Sequence, residues 1–226
     1  VRLFESGLRF VNRAEGLTQT PGLALLATGS AGRESWSARA RDVDFFDLKG
    51  DVEALLARGA QGDQWRFVAG ERPGMHPGQT AWIERDGRRV GYVAALHPTL
   101  QKAFDFERPV LVAELDLAAL SDGMLPAFRP VSRFPALRRD LALVVDQHLP
   151  AGELMATVRE TAAAYAPELT LFDVYQGKGI DPHRKSLALG LTFQSQSRTL
   201  GDDEVNRCVE QVVDSLKEKY NAELRA

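Results

Sequence analysis

Along residues 186–193, Leu187, Leu189, Leu191 and Phe193 alternate with Ser186, Ala188, Gly190 and Thr192. A two-residue period of this kind is a strand with one apolar face. Residues 169–175 form a second strand-like run, in which Phe172 and Val174 point one way and Asp173 and Tyr175 the other. The intervening stretch 176–185, rich in Gly and Lys/Arg, turns the two runs into a hairpin. Its apolar residues must meet a core, so the opposite face carries Tyr175 near Ser186, with Asp173 alongside and the small residues Ala188 and Gly190 beside them. On either side of the hairpin the period becomes helical: Leu154, Val158, Ala162 and Tyr165 make one stripe, and Val205, Cys208, Val209, Val212, Leu216 and Tyr220 another. The second helix, from Asp202 to about Tyr220, opens on Asp202, Asp203 and Glu204 and closes on Lys217 and Lys219, matching both poles of its dipole. With a continuous apolar strand at 141–145 and a closing strand in "AELRA", the order is βαββαβ. That is the ferredoxin-like arrangement, with both helices on one sheet face and the other face free.

The first half of the chain predicts an α+β block built on a largely antiparallel sheet. "RLFESGLRFV" and "GLALLATG" read as strands, and Phe45, Leu48, Val52, Leu55 and Leu56 have helical spacing before Gly59. "WRFVA", "TAWIERDGRRVGYVAAL" with a hairpin signal at Asp86-Gly87, and "PVLVAELDL" supply further strands. Between the blocks, "SDGMLPAFRPVSRFP" has three prolines and a glycine without periodicity, which reads as a linker. The boundary is placed near Leu125, giving domains at 1–125 and 126–226. No internal repeat or low-complexity segment is evident.

Composition narrows the function classes. The 226 residues are 44% hydrophobic and 26% charged, ordinary for a soluble globular protein. A formal charge of -3 argues against electrostatic wrapping of nucleic acid, so any RNA contact must be local. One cysteine, Cys208, excludes an internal disulfide and a Cys-rich zinc site; its place on the apolar helix stripe predicts a buried small hydrophobe. A reducing, cytoplasmic setting is expected. No apolar run approaches the length of a membrane span, and the first twelve residues lack a signal-peptide core. Val1 in place of an initiator Met, followed at once by a strand, predicts a chain that starts inside a larger protein.

The free face of the hairpin is the main candidate site. An aromatic ring beside small side chains leaves room for a flat guest, and Lys178, His183, Arg184 and Lys185 in the connection stand where phosphates would pass. Sequence-specific RNA recognition stacks unpaired bases on aromatics and reads their edges with polar groups. The alternative is a surface Tyr paired across strands beside a solvated basic loop. His76 and His97 each precede a proline and lack a partner at ligand spacing, so turn or packing roles are expected and no metal site is assigned. Asp47 and Lys49 in "FDLKG" are read as anchors of their helix.

Several long segments carry a family resemblance. "SRFPALRRDLALVVD", "LFDVYQGKG", "KSLALGLTFQSQSRTL" and "DDEVNRCVEQVVDSLKEKYNAELR" closely resemble the ferredoxin-fold anticodon-binding domain that ends the beta subunit of bacterial phenylalanyl-tRNA synthetases. Upstream, "RLFESGLRFV", "DFFDLKGDVEALL", "HPGQTAWI" and "GYVAALHP" resemble the end of that subunit's class II synthetase-like catalytic module. The resemblance implies that Asp173, Tyr175 and Ser186 contact the anticodon of phenylalanine tRNA, with Arg138, Lys185 and Arg198 in support; Arg184 joins the RNA-binding candidates from its place in the basic connection. It also implies an alpha-subunit partner in an α2β2 heterotetramer, and ATP and magnesium for the complete synthetase, with none held by this fragment. Arg2 and Glu5 in "RLFE" match the phosphate-clamping motif only loosely, and no Gly-rich segment ending in a catalytic Arg follows. No catalytic residue is therefore assigned, and the fragment alone is expected not to aminoacylate. The competing reading is a protein-interaction module whose ferredoxin-like sheet has no RNA role.

Overall fold

The computed structural model describes residues 1–14, 16–37, 39–59, 65–121, 128 and 130–225. They form two compact units. The boundary expected near Leu125 lies outside the described residues.

The first unit is a six-stranded antiparallel sheet. β1 (Arg2–Arg13) and β2 (Gly16–Thr28) make a long hairpin; β3 (Trp65–Ala69), β4 (Met75–Arg85), β5 (Arg88–Leu96) and β6 (Val110–Asp116) complete the order β1-β2-β6-β5-β4-β3. The β4–β5 turn falls on Asp86 and Gly87, both with positive φ (51° and 75°), as a primed hairpin turn requires. Helix α1 (Phe45–Gly59) covers one face, burying Leu48, Val52 and Leu56 against Ala27, Ile83, Val93, Leu111, Ala113 and Leu115. Its start is anchored by Asp47, which accepts the Asp44 amide (2.8 Å) and a two-pronged Arg41 guanidinium (2.6 and 2.7 Å). Those donors, Arg41 first, hold the Asp47 carboxyl at about 2. Lys49 pairs with Glu53 and sits 4.4 Å from the Phe67 ring centroid, so both residues of "FDLKG" anchor the helix. Two short helices, α2 (Pro98–Ala103) and α3 (Leu117–Ser121), have no counterpart in the periodicity. A six-residue helix is too short to show a stripe; α2 starts because His97 caps it and Pro98 follows at the first turn.

The second unit is a four-stranded antiparallel sheet of order β10-β7-β9-β8, from β7 (Leu137–Asp146), β8 (Glu168–Tyr175), β9 (Arg184–Phe193) and β10 (Glu223–Leu224). Helices α4 (Ala151–Thr161) and α5 (Asp202–Tyr220) bury Leu154, Val158, Val205, Cys208, Val212 and Leu216 in one cluster with Leu141, Leu143, Val145, Leu187, Leu189, Leu191 and Phe193. Both helices thus lie on one face of the sheet, in the βαββαβ order expected. β7 begins four residues before the expected 141, because Leu137 pairs with Phe193 and Arg139 reaches across to Asn206 and Asp202 at the start of α5. α4 stops at Thr161, short of the stripe's end; Ala166 takes a positive φ of 40°, yet Tyr165 still packs edge-on against Phe193.

Phe193 is fully buried at the centre of this cluster. Phe193→Ala should lower the unfolding free energy by about 3–5 kcal/mol, measured by chemical denaturation. Cys208 is 2% exposed and its thiol is pushed up by burial. A thiol reagent at neutral pH should therefore label it only in denaturant; rapid labelling of the folded chain would show that α5 does not hold this packing.

Candidate nucleic-acid interface

A β-bulge sets the free face of the second sheet. The β8–β9 register runs Leu169↔Leu191 and Leu171↔Leu189, then shifts to Asp173↔Ala188, Val174↔Leu187 and Tyr175↔Ser186, leaving Phe172 as the extra residue. Strict alternation cannot put both Leu171 and Leu189 on the core side and both Asp173 and Ala188 on the other. One residue has to be inserted. The assignment of Phe172 to the core is therefore corrected: it is 50% exposed, and the Arg138 guanidinium carbon lies 5.5 Å from its ring centroid. Val174 shares the register of core-facing Leu187 but stays exposed at this edge strand.

Asp173, Tyr175 and Ser186 are brought together as the pattern implied. Tyr175 opposes Ser186 directly, and Asp173 stands one step along beside Ala188. The Tyr175 hydroxyl donates to the Lys178 carbonyl (3.1 Å), which fixes the ring's tip. Gly177 makes room for it: at φ 154° a Cβ there would sit 3.0 Å from the phenol oxygen. Ser186 is only 4% exposed, and among the described residues neither its hydroxyl nor the exposed Asp173 carboxylate has a hydrogen-bond partner. This pair is thus equipped to receive polar edges from outside.

The space over the small residues is not vacant. Arg138 opposes Thr192 and lies across Gly190, where an added Cβ would approach the guanidinium to 2.7 Å; its Nε donates to Asp140 (2.8 Å). From the far edge, Arg225 brings its guanidinium carbon to 5.0 Å from the Tyr175 ring centroid, within cation–π range. The Arg225 backbone amide donates to the Ala142 carbonyl (2.9 Å), continuing the β10 ladder. Between these edges the face carries Ala142, Val144, Ser186 and Ala188.

The remaining basic candidates have other surroundings. Arg184 donates to Glu223 (2.6 Å), the Val144 carbonyl (2.7 Å) and the Asn221 carbonyl (2.8 Å), clasping β10 to the sheet and thereby holding Arg225. Lys185 opposes core-facing Val145, on the helix side; burial lowers its ammonium pKa, with Asp146 acting in the opposite sense. Arg198 lies past the Phe193 end of β9 and donates to Glu204 from both Nη1 and Nη2. The structure therefore groups Arg138 with Asp173, Tyr175 and Ser186, and sets Lys185 and Arg198 apart from them. Phe172 and Arg225 complete the group. Alternation taken from Phe172 and Val174 alone passes over the bulge, and a two-residue strand has no period to read.

The histidines are local braces. His97 Nδ1 accepts the Thr99 amide (3.2 Å) and His76 Nδ1 accepts the Gly78 amide (3.0 Å).

Two family models cover nearly the whole chain. Residues 1–117 match the phenylalanyl tRNA synthetase beta chain CLM domain, and residues 132–225 the ferredoxin-fold anticodon binding domain. The chain belongs to the phenylalanyl-tRNA synthetase beta-chain family. Among curated relatives, the phenylalanine–tRNA ligase beta subunits of Pseudomonas fluorescens and Pseudomonas savastanoi are each 53% identical over 225 residues, covering 100% of this chain and 28% of their own length. The beta subunit of Shewanella oneidensis is 43% identical over 228 residues, with 29% of its length covered. The chain thus spans less than a third of the relatives it matches. Among the described residues no helix is long and apolar enough to cross a membrane.

The Arg198–Glu204 pair generates a pH prediction. Arg198, the largest influence, holds the Glu204 carboxyl at about 2, below its ordinary 4.5. A lowered folded-state pKa adds stability above the unfolded value and loses it as pH falls. Glu204→Gln should therefore melt below the native chain at pH 7, with the gap closing between about 4.5 and about 2. Thermal melts across that range check it; a gap independent of pH would exclude the ion pair as its source.

Proposed function

We propose that this chain is the part of a phenylalanine–tRNA ligase beta subunit that binds the tRNA anticodon and supports assembly with the catalytic alpha subunit. The observation that carries the reading is the arrangement on the second sheet: an aromatic ring with a carboxylate and a hydroxyl that are unpartnered among the described residues, together on the face opposite the helices, in the region that matches the anticodon-binding domain. In this reading residues 126–226 form that domain and residues 1–125 a catalytically silent synthetase module. Tyr175 stacks an unpaired base, while Asp173 and Ser186 meet its polar edges. The base enters beside Arg225, whose guanidinium offers a second flat surface. Arg138 borders the same face; Arg184 acts by holding β10, and Lys185 and Arg198 contribute charge at greater remove.

The described residues do not fit an ATP–magnesium site. Among the described residues no three His, Cys, Asp or Glu side chains converge; Arg2 is paired with Asp51, and Arg9 with Asp116 and Glu114. ATP and magnesium are accordingly assigned to the alpha subunit of a cytoplasmic α2β2 synthetase. The first unit supports the assembly role through its edge: β1 ends the sheet, and Leu3, Phe4, Leu8, Phe10 and Val11 on it are all exposed. A long apolar edge strand is a ready template for a partner chain.

Tyr175→Ala in the complete synthetase should weaken binding of phenylalanine tRNA by about 1–3 kcal/mol, the cost of one lost base stack, with folding unchanged. The loss should shrink when the anticodon is altered. Equal loss for native and altered anticodons would sink the RNA-reading role and leave the protein-interaction alternative. For assembly, Phe4→Lys with Phe10→Lys should abolish co-purification with the alpha subunit while the second unit keeps its melting behaviour. Undiminished co-purification would place the interface elsewhere.

A further inference from the structure

We infer a second nucleotide subsite on β8, formed by the Phe172 ring and the Arg138 guanidinium, adjacent to the Tyr175 position. It rests on the anticodon-binding reading and extends it from one stacked base to two consecutive ones.

The bulge makes the subsite. It releases Phe172 from the core alternation and leaves the ring 50% exposed on an edge strand, three residues from Tyr175. The ring has no place in the core cluster of the second unit, and half of its surface stays open to solvent. Each of the two rings has its own guanidinium, Arg138 at 5.5 Å from Phe172 and Arg225 at 5.0 Å from Tyr175. Aromatic faces and guanidinium planes are the two surfaces on which proteins stack unpaired bases. Stacked bases are spaced about 3.4 Å apart, so a base between ring and guanidinium needs a gap of roughly 7 Å. Both pairs are narrower than that and must part by a small side-chain movement. Arg138 and Arg225 are exposed long side chains, and such movements are fast.

Asp173 lies between the two rings in sequence and on the free face, its carboxylate unpartnered among the described residues. A carboxylate accepts from exocyclic amino and ring N–H groups and repels phosphate. The track is therefore lined for base edges, with the sugar–phosphate backbone kept outward. Arg138 is also paired with Asp140, which leaves little net positive charge at the Phe172 pair. Binding there should depend on stacking and hardly on salt. Four-stranded sheets that present two or three aromatics to successive bases use the same physics.

The test uses the complete synthetase and four phenylalanine tRNAs: the native one and three with a single abasic anticodon nucleotide each. Phe172→Ala should lower affinity for native tRNA about 5- to 150-fold. The loss should vanish with one abasic tRNA, and that tRNA should differ from the one that silences Tyr175→Ala. Phe172→Leu, which keeps an apolar side chain but no flat ring, should lose as much as Phe172→Ala. Arg138→Lys, which keeps the charge without the plane, should show a smaller loss on the same tRNA. The slope of log affinity against log salt should not change for Phe172→Ala, whereas loss of a phosphate contact would reduce it by about one. Thermal melts confirm that the variants fold. Full affinity in Phe172→Ala, equal loss on all four tRNAs, or rescue by Phe172→Leu would each overturn the second subsite. The Tyr175→Ala series is read separately, so failure of the anticodon reading itself shows as its insensitivity to every abasic position.

Discussion

The two faces of the second sheet are set by one inserted residue. Without the bulge at Phe172, β8 could bury Leu169 and Leu171 or present Asp173 and Tyr175 beside Ala188 and Ser186, but not both. A one-residue slip of a strand exchanges all of its side chains between faces. The bulge performs that exchange halfway along β8: its first half belongs to the core and its second half to the solvent face. The helices close over the first arrangement, and the candidate site exists because of the second. The position of the irregularity, next to the functional residues, matches the tendency of bulges to re-aim side chains at sites.

Much of this was legible beforehand, for identifiable reasons. β9 alternates without a break from Ser186 to Phe193, so its two faces follow from the two-residue period alone. α5 has a continuous apolar stripe and charges matched to its dipole, and Cys208 falls on that stripe and is buried. The parity argument also put Asp173 and Tyr175 on the right face, but by matching them against Phe172 and Val174 and passing over Leu169 and Leu171. The two leucines are what reveal the inconsistency. Arg225 was harder to see, because its position depends on where a two-residue strand docks, and that depends on the Arg184 clasp. Long-range side-chain contacts leave no local pattern. Lys185 and Arg184 show the converse error: adjacent basic residues at the end of a connection look alike in sequence, yet strand parity sends one to each face and gives the two unrelated surroundings.

The first unit shows a related use of charge. Arg2, Arg9, Arg41 and Arg72 lie near carboxylates: Asp51, then Asp116 and Glu114, then Asp47 with Asp44, then Glu114 again. Arg72 also lies 4.1 Å from the centroid of the buried Tyr92 ring. Partly exposed pairs of this kind add little stability one at a time. Their collective effect is to hold the guanidinium groups against the fold.

That inward commitment bears on how the β1 edge behaves in water. Edge strands commonly resist unwanted pairing by displaying charge, and β1 carries Arg2 and Arg9 among Leu3, Phe4, Leu8, Phe10 and Val11. Arg2 turns to α1 through Asp51, and Arg9 reaches across the sheet to Asp116. Of the arginines on β1, Arg2 and Arg9 are thus partly neutralised by the molecule's own acids. An orphan copy, made in excess of whatever covers this edge, would carry an exposed adhesive strand that chaperones and proteases are suited to detect. If that edge takes part in the proposed assembly, the same feature would make the unit's supply self-correcting.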